Sequence, residues 1–310
     1  MVSYRARLVR LLLRHSIGRR FRAAGTSVSE LRKLEGVLAR SQRLPKGTRV
    51  SSVAVGGLTA EWVEGPGAKT GAAVLYLHGG AFVMGSPATH RELAARVSAA
   101  AEARVLSVAY RLAPEFPFPS AVEDAKAAYR WLGDQGYASS ALAIGGDSSG
   151  GGLALQTLLA LRNEGAAMPC AGFFMSPVTE WLDLDADSFR TRAEVDPLVT
   201  PLQTRHTAVL YVGDRSGDRS LLCPTRGSLA GLPPLWIQVG DCEILLSDAQ
   251  RLAERASADG VNVEFKVWPG LWHVFQAAAR YVPEGRQSLE ELSVFLRKRL
   301  WPPEGAGRTS

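Results

Sequence analysis

Several features that would settle a protein's class at once are scarce or missing here. There are three cysteines in 310 residues, Cys170, Cys223 and Cys242. They cannot all pair, and their wide spacing matches no metal-binding signature. A disulfide scaffold is therefore excluded, and a reducing, cytoplasmic setting is expected. No apolar run approaches the ~18 residues that a membrane-spanning helix needs. The short apolar run Leu8–Leu13 is interrupted by Arg10, so no secretory signal is expected. No repeat or low-complexity segment stands out. Acidic residues are absent before Glu30, whereas seven arginines precede it: Arg5, Arg7, Arg10, Arg14, Arg19, Arg20 and Arg22.

That asymmetry decides how the net charge of +6 is read. The excess sits on an N-terminal arm and the remaining chain is close to neutral. A nucleic-acid enzyme would carry a basic stripe across its working face, so no nucleic-acid partner is expected. The arm, Val2–Phe21, has two readings. It can lie as a basic amphipathic helix on an anionic membrane surface, making a weak contact. It can also pack over the body with its arginines solvated, and the small apolar face favours this second reading.

What is present is ordinary globular material. Hydrophobic residues make up 46% and charged residues 21%, which excludes collagen-like sequence and bulk disorder. The length fits two average domains or one large α/β unit with a cleft. From residue 50 onward short apolar runs alternate with longer helical patterns. Strands are expected at Val50–Val55, Leu58–Glu64, Ala72–Leu77, Val105–Tyr110, Leu142–Gly145, Gly172–Met175, Leu235–Val239 and Val263–Trp268. Most are apolar throughout, as strands covered on both faces are. Helices are expected at His90–Ala101, Ala121–Leu132, Gly150–Glu164, Asp248–Ala258 and Ser288–Leu300. Ser247 with Gln250 reads as a capping box, and Gly260 as the stop of that helix. The alternation predicts an α/β fold, with a mostly parallel central sheet and helices on both faces. Residues 1–45 and 178–222 break it. They are read as a helical cap made of an N-terminal segment and an insertion, over a body of residues 46–177 and 223–310.

Two glycine motifs carry chemistry. Gly146-Asp147-Ser148-Ser149-Gly150 fits G-x-S-x-G between an apolar strand and a helix. A nucleophilic serine needs a tight strand-to-helix turn, with glycines that let neighbouring backbone approach. Alone the pattern is weak, since chance supplies it in roughly a quarter of chains of this composition. The second motif is His78-Gly79-Gly80-Ala81-Phe82, directly after a strand and 70 residues before Ser148. Its backbone N–H groups could stabilise an oxyanion. By itself it would be an ordinary glycine turn, but the order along the chain fits an oxyanion loop. Of the five histidines, His273 alone follows the last strand, so it is the expected base. Its acid could be Asp196, Asp241 or Glu243. The strand before the histidine strand favours 241 or 243. Asp196 lies in the insertion and reads as a turn residue near a helix start at Thr200.

Together these residues resemble the hormone-sensitive lipase family of α/β-hydrolases, in its bacterial esterase branch. The resemblance runs from about Ala72 to Phe275. It rests on His78–Phe82, Tyr110–Glu115 with Phe118, Pro119, Ala121 and Asp124, Gly146–Gly151, Gly240–Leu245, and His273–Phe275. The resemblance implies an α/β-hydrolase fold, with Ser148 as nucleophile and His273 as general base. The family's acid usually stands 30 residues before the histidine in a D/E-x-L pattern, which implies Glu243 rather than Asp241. It also implies an oxyanion hole from the N–H groups of Gly80, Ala81 and Ser149, with Gly79 supporting the turn. Neither metal nor cofactor is implied. Two departures stand out: Gly-Gly-Ala where the family often has three glycines, and Asp-Ser-Ser where it often has Asp-Ser-Ala. The expected activity is a serine carboxylesterase acting on short-to-medium acyl esters. Phe82, Trp181 and Phe189 are expected to line the acyl side. The alternatives are a lactone or N-acetyl hydrolase using the same triad, and a non-catalytic small-molecule receptor, which the complete constellation disfavours. Homodimers are common in the family, sometimes through the edge strand near Val263–Trp268.

Overall fold

The computed structural model describes residues 2–16, 18–19, 27–40, 42–213 and 219–303. Arg20 and Arg22 of the basic arm therefore lie outside the described residues. Eight strands form one sheet: β1 (Arg49–Val55), β2 (Leu58–Glu64), β3 (Lys69–Leu77), β4 (Ala103–Val108), β5 (Leu142–Asp147), β6 (Ala171–Met175), β7 (Leu235–Gly240) and β8 (Val263–Trp268). Their spatial order is β1-β2-β4-β3-β5-β6-β7-β8. The pairs β1–β2 and β2–β4 are antiparallel, and every pair from β4 to β8 is parallel. All eight expected strands are present, with boundaries shifted by a few residues.

Strands β5, β6 and β7 are buried at every position, because helices cover both faces. Helices α4 (Ser120–Asp134), α5 (Ser149–Asn163) and α8 (Leu246–Ala258) pack on the face carrying Leu75, Leu77, Ile144, Phe174 and Ile237. Helices α3 (Pro87–Ala101) and α9 (Pro283–Leu300) cover Val74, Tyr76, Ala143, Phe173 and Trp236 on the other face. The two-residue alternation along each strand divides one apolar run between two cores. Helix α5 is buried from Ser149 to Leu161, as expected of a helix apolar all round.

The start of α8 corrects one expectation. The Ser247–Gln250 capping box does not form, because Ser247 lies inside the helix, which begins at Leu246 without a side-chain cap. A tertiary partner replaces the local one: the Ser247 N–H donates to Ser188 Oγ, and Ser247 Oγ accepts from the Ser188 N–H. Gly260 follows the helix at φ 80°, as expected. A capping box does open α3, between Ser86 and Thr89.

The two stretches that broke the alternation hold no strand among their described residues. The first contains α1 (Tyr4–His15) and α2 (Val28–Arg40); the second contains α6 (Asp187–Thr191) and α7 (Pro201–Val212). Helix α1 seats Ala6 in a small cluster with Trp268, Leu271, Trp272 and Phe275. Its arginines are not all solvated: Arg10 turns inward and donates to Cys242 Sγ and to the Gly270 carbonyl.

The centre of the sheet tolerates glycine alone at one crossing. A Cβ on Gly146 would meet the Leu77 carbonyl oxygen at 2.1 Å and Gly150 backbone at 2.8 Å. Neither is a flexible side-chain end. Gly146→Ala is therefore expected to destabilise the protein by about 3 kcal/mol, measured by urea unfolding; an unchanged midpoint would contradict this packing.

Candidate active site

Three side chains meet above the carboxyl ends of the parallel strands. Ser148 follows β5 and caps α5. Its backbone sits at φ 54°, ψ −125°, a conformation that a non-glycine residue adopts only when its surroundings impose it. Three hydrogen bonds impose it here: the Ser148 N–H donates to the Met175 carbonyl, and the Ser148 carbonyl accepts from Gly152 and Val178. Ala81, Phe82, Ser176 and Val274 also have positive φ, so unusual backbone is concentrated in the loops around this point.

His273 follows β8. Its Nε2 lies 2.9 Å from Ser148 Oγ, and its Nδ1 lies 2.9 Å from Glu243 Oε2. Glu243 is fully buried. Its other oxygen accepts from Ser176 Oγ at 2.9 Å and from the Gly240 N–H. With one oxygen on the imidazole and the other held by fixed donors, the carboxylate has little rotational freedom. Asp241 faces elsewhere, accepting from the Gly270 N–H and from Cys242. Asp196 does not touch the imidazole either. Burial by itself favours the neutral His273 ring. The Glu243 hydrogen bond and the negative charges of Glu243, Asp196 and Asp147 outweigh it, and hold the ring above its ordinary value.

Gly80 and Ala81 border the cavity beside Ser148, and Ser149 opens α5, whose free N–H groups favour negative charge. Gly79 is engaged differently: its N–H donates to Asp147 Oδ1 at 3.2 Å. Asp147 in turn accepts from Tyr76 Oη, and its Oδ2 stands 3.5 Å from His90 Nε2. The residue before the serine thus pins the glycine loop to the serine's own turn. His78 stacks on Tyr110 at 4.2 Å between ring centroids, and burial lowers its pKa to about 3, so it is a neutral packing residue.

The cavity above Ser148 has a volume of about 1190 Å³. Its walls come from α1 and α2 (Val9, Leu13, Val28, Leu31) and from the 178–222 segment (Trp181, Leu198, Leu202, Leu210). Trp181 is among the lining residues; Phe82 and Phe189 are not. Phe82 stacks face to face on Tyr211, with centroids 3.6 Å apart, and is buried in the core. Phe189 is buried in the same core. Ser176 and Asp147 escaped the sequence reading. Ser176 has no motif of its own, and Asp147 stood inside one as a spacer. Among the described residues no cluster of three or more histidine, cysteine or acidic side chains could hold a metal ion. Nor is any helix among them long and apolar enough to cross a membrane.

Comparison with known proteins agrees with this fold. A family model described as the α/β-hydrolase fold matches residues 74–277. An acetyl-hydrolase of Streptomyces hygroscopicus is 43% identical over 247 residues, covering 79% of this chain and 81% of its own. A putative acetyl-hydrolase of Mycobacterium tuberculosis is 34% identical over 289 residues, covering 93% of each chain. Among solved structures, an esterase from the bacterial hormone-sensitive lipase family superposes with a TM-score of 0.90 at 40% identity, covering 97% of this chain and 99% of its own. The chain belongs to the α/β-hydrolases, and within them to the hormone-sensitive lipase family.

The electrostatics of His273 can be tested directly. Its imidazole, followed by NMR, should titrate above the ordinary 6.5. In Glu243→Gln the midpoint should fall, because burial then acts against less opposition. A midpoint unmoved by that change would refute the assigned cause.

Proposed function

We propose that the protein is a serine carboxylesterase in which Ser148 is the nucleophile, His273 the general base and Glu243 its orienting acid. The chain is a carboxylic ester hydrolase, and its substrates are small-molecule esters. The observation that carries the residue assignment is the pair of 2.9 Å hydrogen bonds on opposite nitrogens of one imidazole. With Nδ1 donating to Glu243, Nε2 is left as an acceptor for the serine proton. Ser148 Oγ attacks the carbonyl carbon while its proton passes to Nε2. The resulting oxyanion is held by the N–H groups of Gly80, Ala81 and Ser149. Collapse breaks the carbon–oxygen bond, and the His273 cation gives its proton to the departing alcohol. Water then attacks the acyl-enzyme, losing a proton to the same nitrogen; the bond from the acyl carbon to Oγ breaks, His273 returns the proton to Ser148 Oγ, and the carboxylic acid leaves. The acyl group is short to medium. The acetyl-hydrolase names of two relatives support the short end and keep N-acetyl substrates as the second reading.

Residues 1–45 and 178–222 act as a two-part cap over a catalytic body of residues 46–177 and 223–310. The lining contributed by α1, α2 and α7 supports this division. The free cysteines support a cytoplasmic setting, and the open edge at β8 is where two copies would pair. Helix α1 also presents Tyr4, Leu8, Leu11 and Leu12 outward, with Arg5 and Arg7 exposed beside them. That combination suits weak contact with an anionic lipid surface.

Ser148→Ala is expected to lower p-nitrophenyl acetate hydrolysis about a thousandfold or more and to abolish covalent labelling by an alkyl phosphonate. Full retention of turnover would sink the nucleophile assignment. In co-sedimentation, the protein should bind phosphatidylglycerol vesicles and not phosphatidylcholine vesicles, and a Leu8→Asp/Leu12→Asp variant should lose that binding. Equal recovery with both lipids would remove the membrane reading.

A further inference from the structure

Asp196 is fully buried, although it belongs neither to the sheet nor to the groups that face the ester. It lies between α6 and α7. Its Oδ1 accepts the N–H groups of Leu198 and Val199 at 2.9 Å each. This turn leads into Thr200, the cap of α7. Its Oδ2 accepts the Ile244 N–H at 3.0 Å, one residue past Glu243. A single carboxylate therefore ties the wall of the cavity to the loop that carries the triad acid, 48 residues away in sequence.

A turn by itself would not call for this residue. Asparagine or serine can hold two local N–H groups without burying a charge. Burial pushes the Asp196 carboxyl up to about 6, so the ionised form is kept at a cost. Only a carboxylate accepts on both oxygens at once and places negative charge near His273. His273 is faced by Glu243 from the loop after β7, by Asp147 from the end of β5 and by Asp196 from the cavity wall. Asp196 is faced by His273 and Glu243. Two arginines of α1 reach the surrounding loops: Arg10 donates to Cys242 Sγ and to the Gly270 carbonyl, and Arg14 to the Glu194 carbonyl.

We propose that Asp196 is a positioning residue of the reaction: it fixes the turn that presents Glu243, and its charge steadies the His273 cation formed when Ser148 attacks. The inference rests on the triad reading above. It assigns the insertion a part in the chemistry as well as in enclosing the substrate.

The test uses the full chain and p-nitrophenyl acetate. Asp196→Asn should lower kcat about 10- to 100-fold with KM little changed. It should also move the acid limb of the kcat/KM profile down by roughly 0.5 pH unit, while an alkyl phosphonate still labels Ser148. Asp196→Glu, which keeps the charge one methylene further out, should lower kcat and leave the acid limb at its wild-type position. An Asp196→Asn enzyme with wild-type kcat, or a slower one whose acid limb has not moved, overturns the proposal. If the neutral variant does not fold, Asp196→Glu decides, and wild-type kcat there overturns it. Failure of the triad reading would be visible separately, as a Ser148→Ala protein that still hydrolyses the ester.

Discussion

His273 is held at both edges of its ring, and its two partners arrive from different strands. Glu243 comes from the loop after β7 and Ser148 from the end of β5. Neither contact can form unless the sheet sets the spacing between those strand ends. On the other side of β5, the glycine loop is placed by how closely β3 approaches. Gly146 and Gly150 allow that approach, since a Cβ on either would collide with the Leu77 carbonyl. The packing of these two central strands thus sets the glycine loop against the Ser148 turn, and the positive φ at Ser148 is a local consequence of making the turn there.

The electrostatic arrangement follows the same logic. Several acids stand around one imidazole, yet they are not equivalent. Glu243 touches the ring, Asp147 secures the glycine loop, and Asp196 reaches only the backbone beside Glu243. Each is buried and each has fixed donors, as a buried carboxylate requires. Their combined field favours the imidazolium form of His273.

How much of this was legible in the sequence depended on the range of the interactions involved. Strands such as Leu142–Gly145 and Gly172–Met175 were readable because continuous burial leaves an apolar run. Ser148 was readable because it stands in a turn whose glycines have a steric reason, and His273 because it alone of the five histidines follows the last strand. The Ser247 capping box failed because Ser188, far away in the chain, competes for the same groups. Phe82 was misplaced because a sequence cannot tell a ring stacked on Tyr211 from one facing a cavity. Asp196 looked like a turn residue, and it is one. Its second oxygen serves Ile244, and no local pattern announces that contact.

The cavity joins two kinds of surface. Its floor is made by strand ends and tight turns, where side-chain size is limited to fractions of an ångström. Its walls include leucines and valines on α1, α2 and α7, which lie outside the sheet. Mutation can therefore redraw the walls gradually while the floor stays as it is. A lineage with this architecture can change its diet without relearning its reaction.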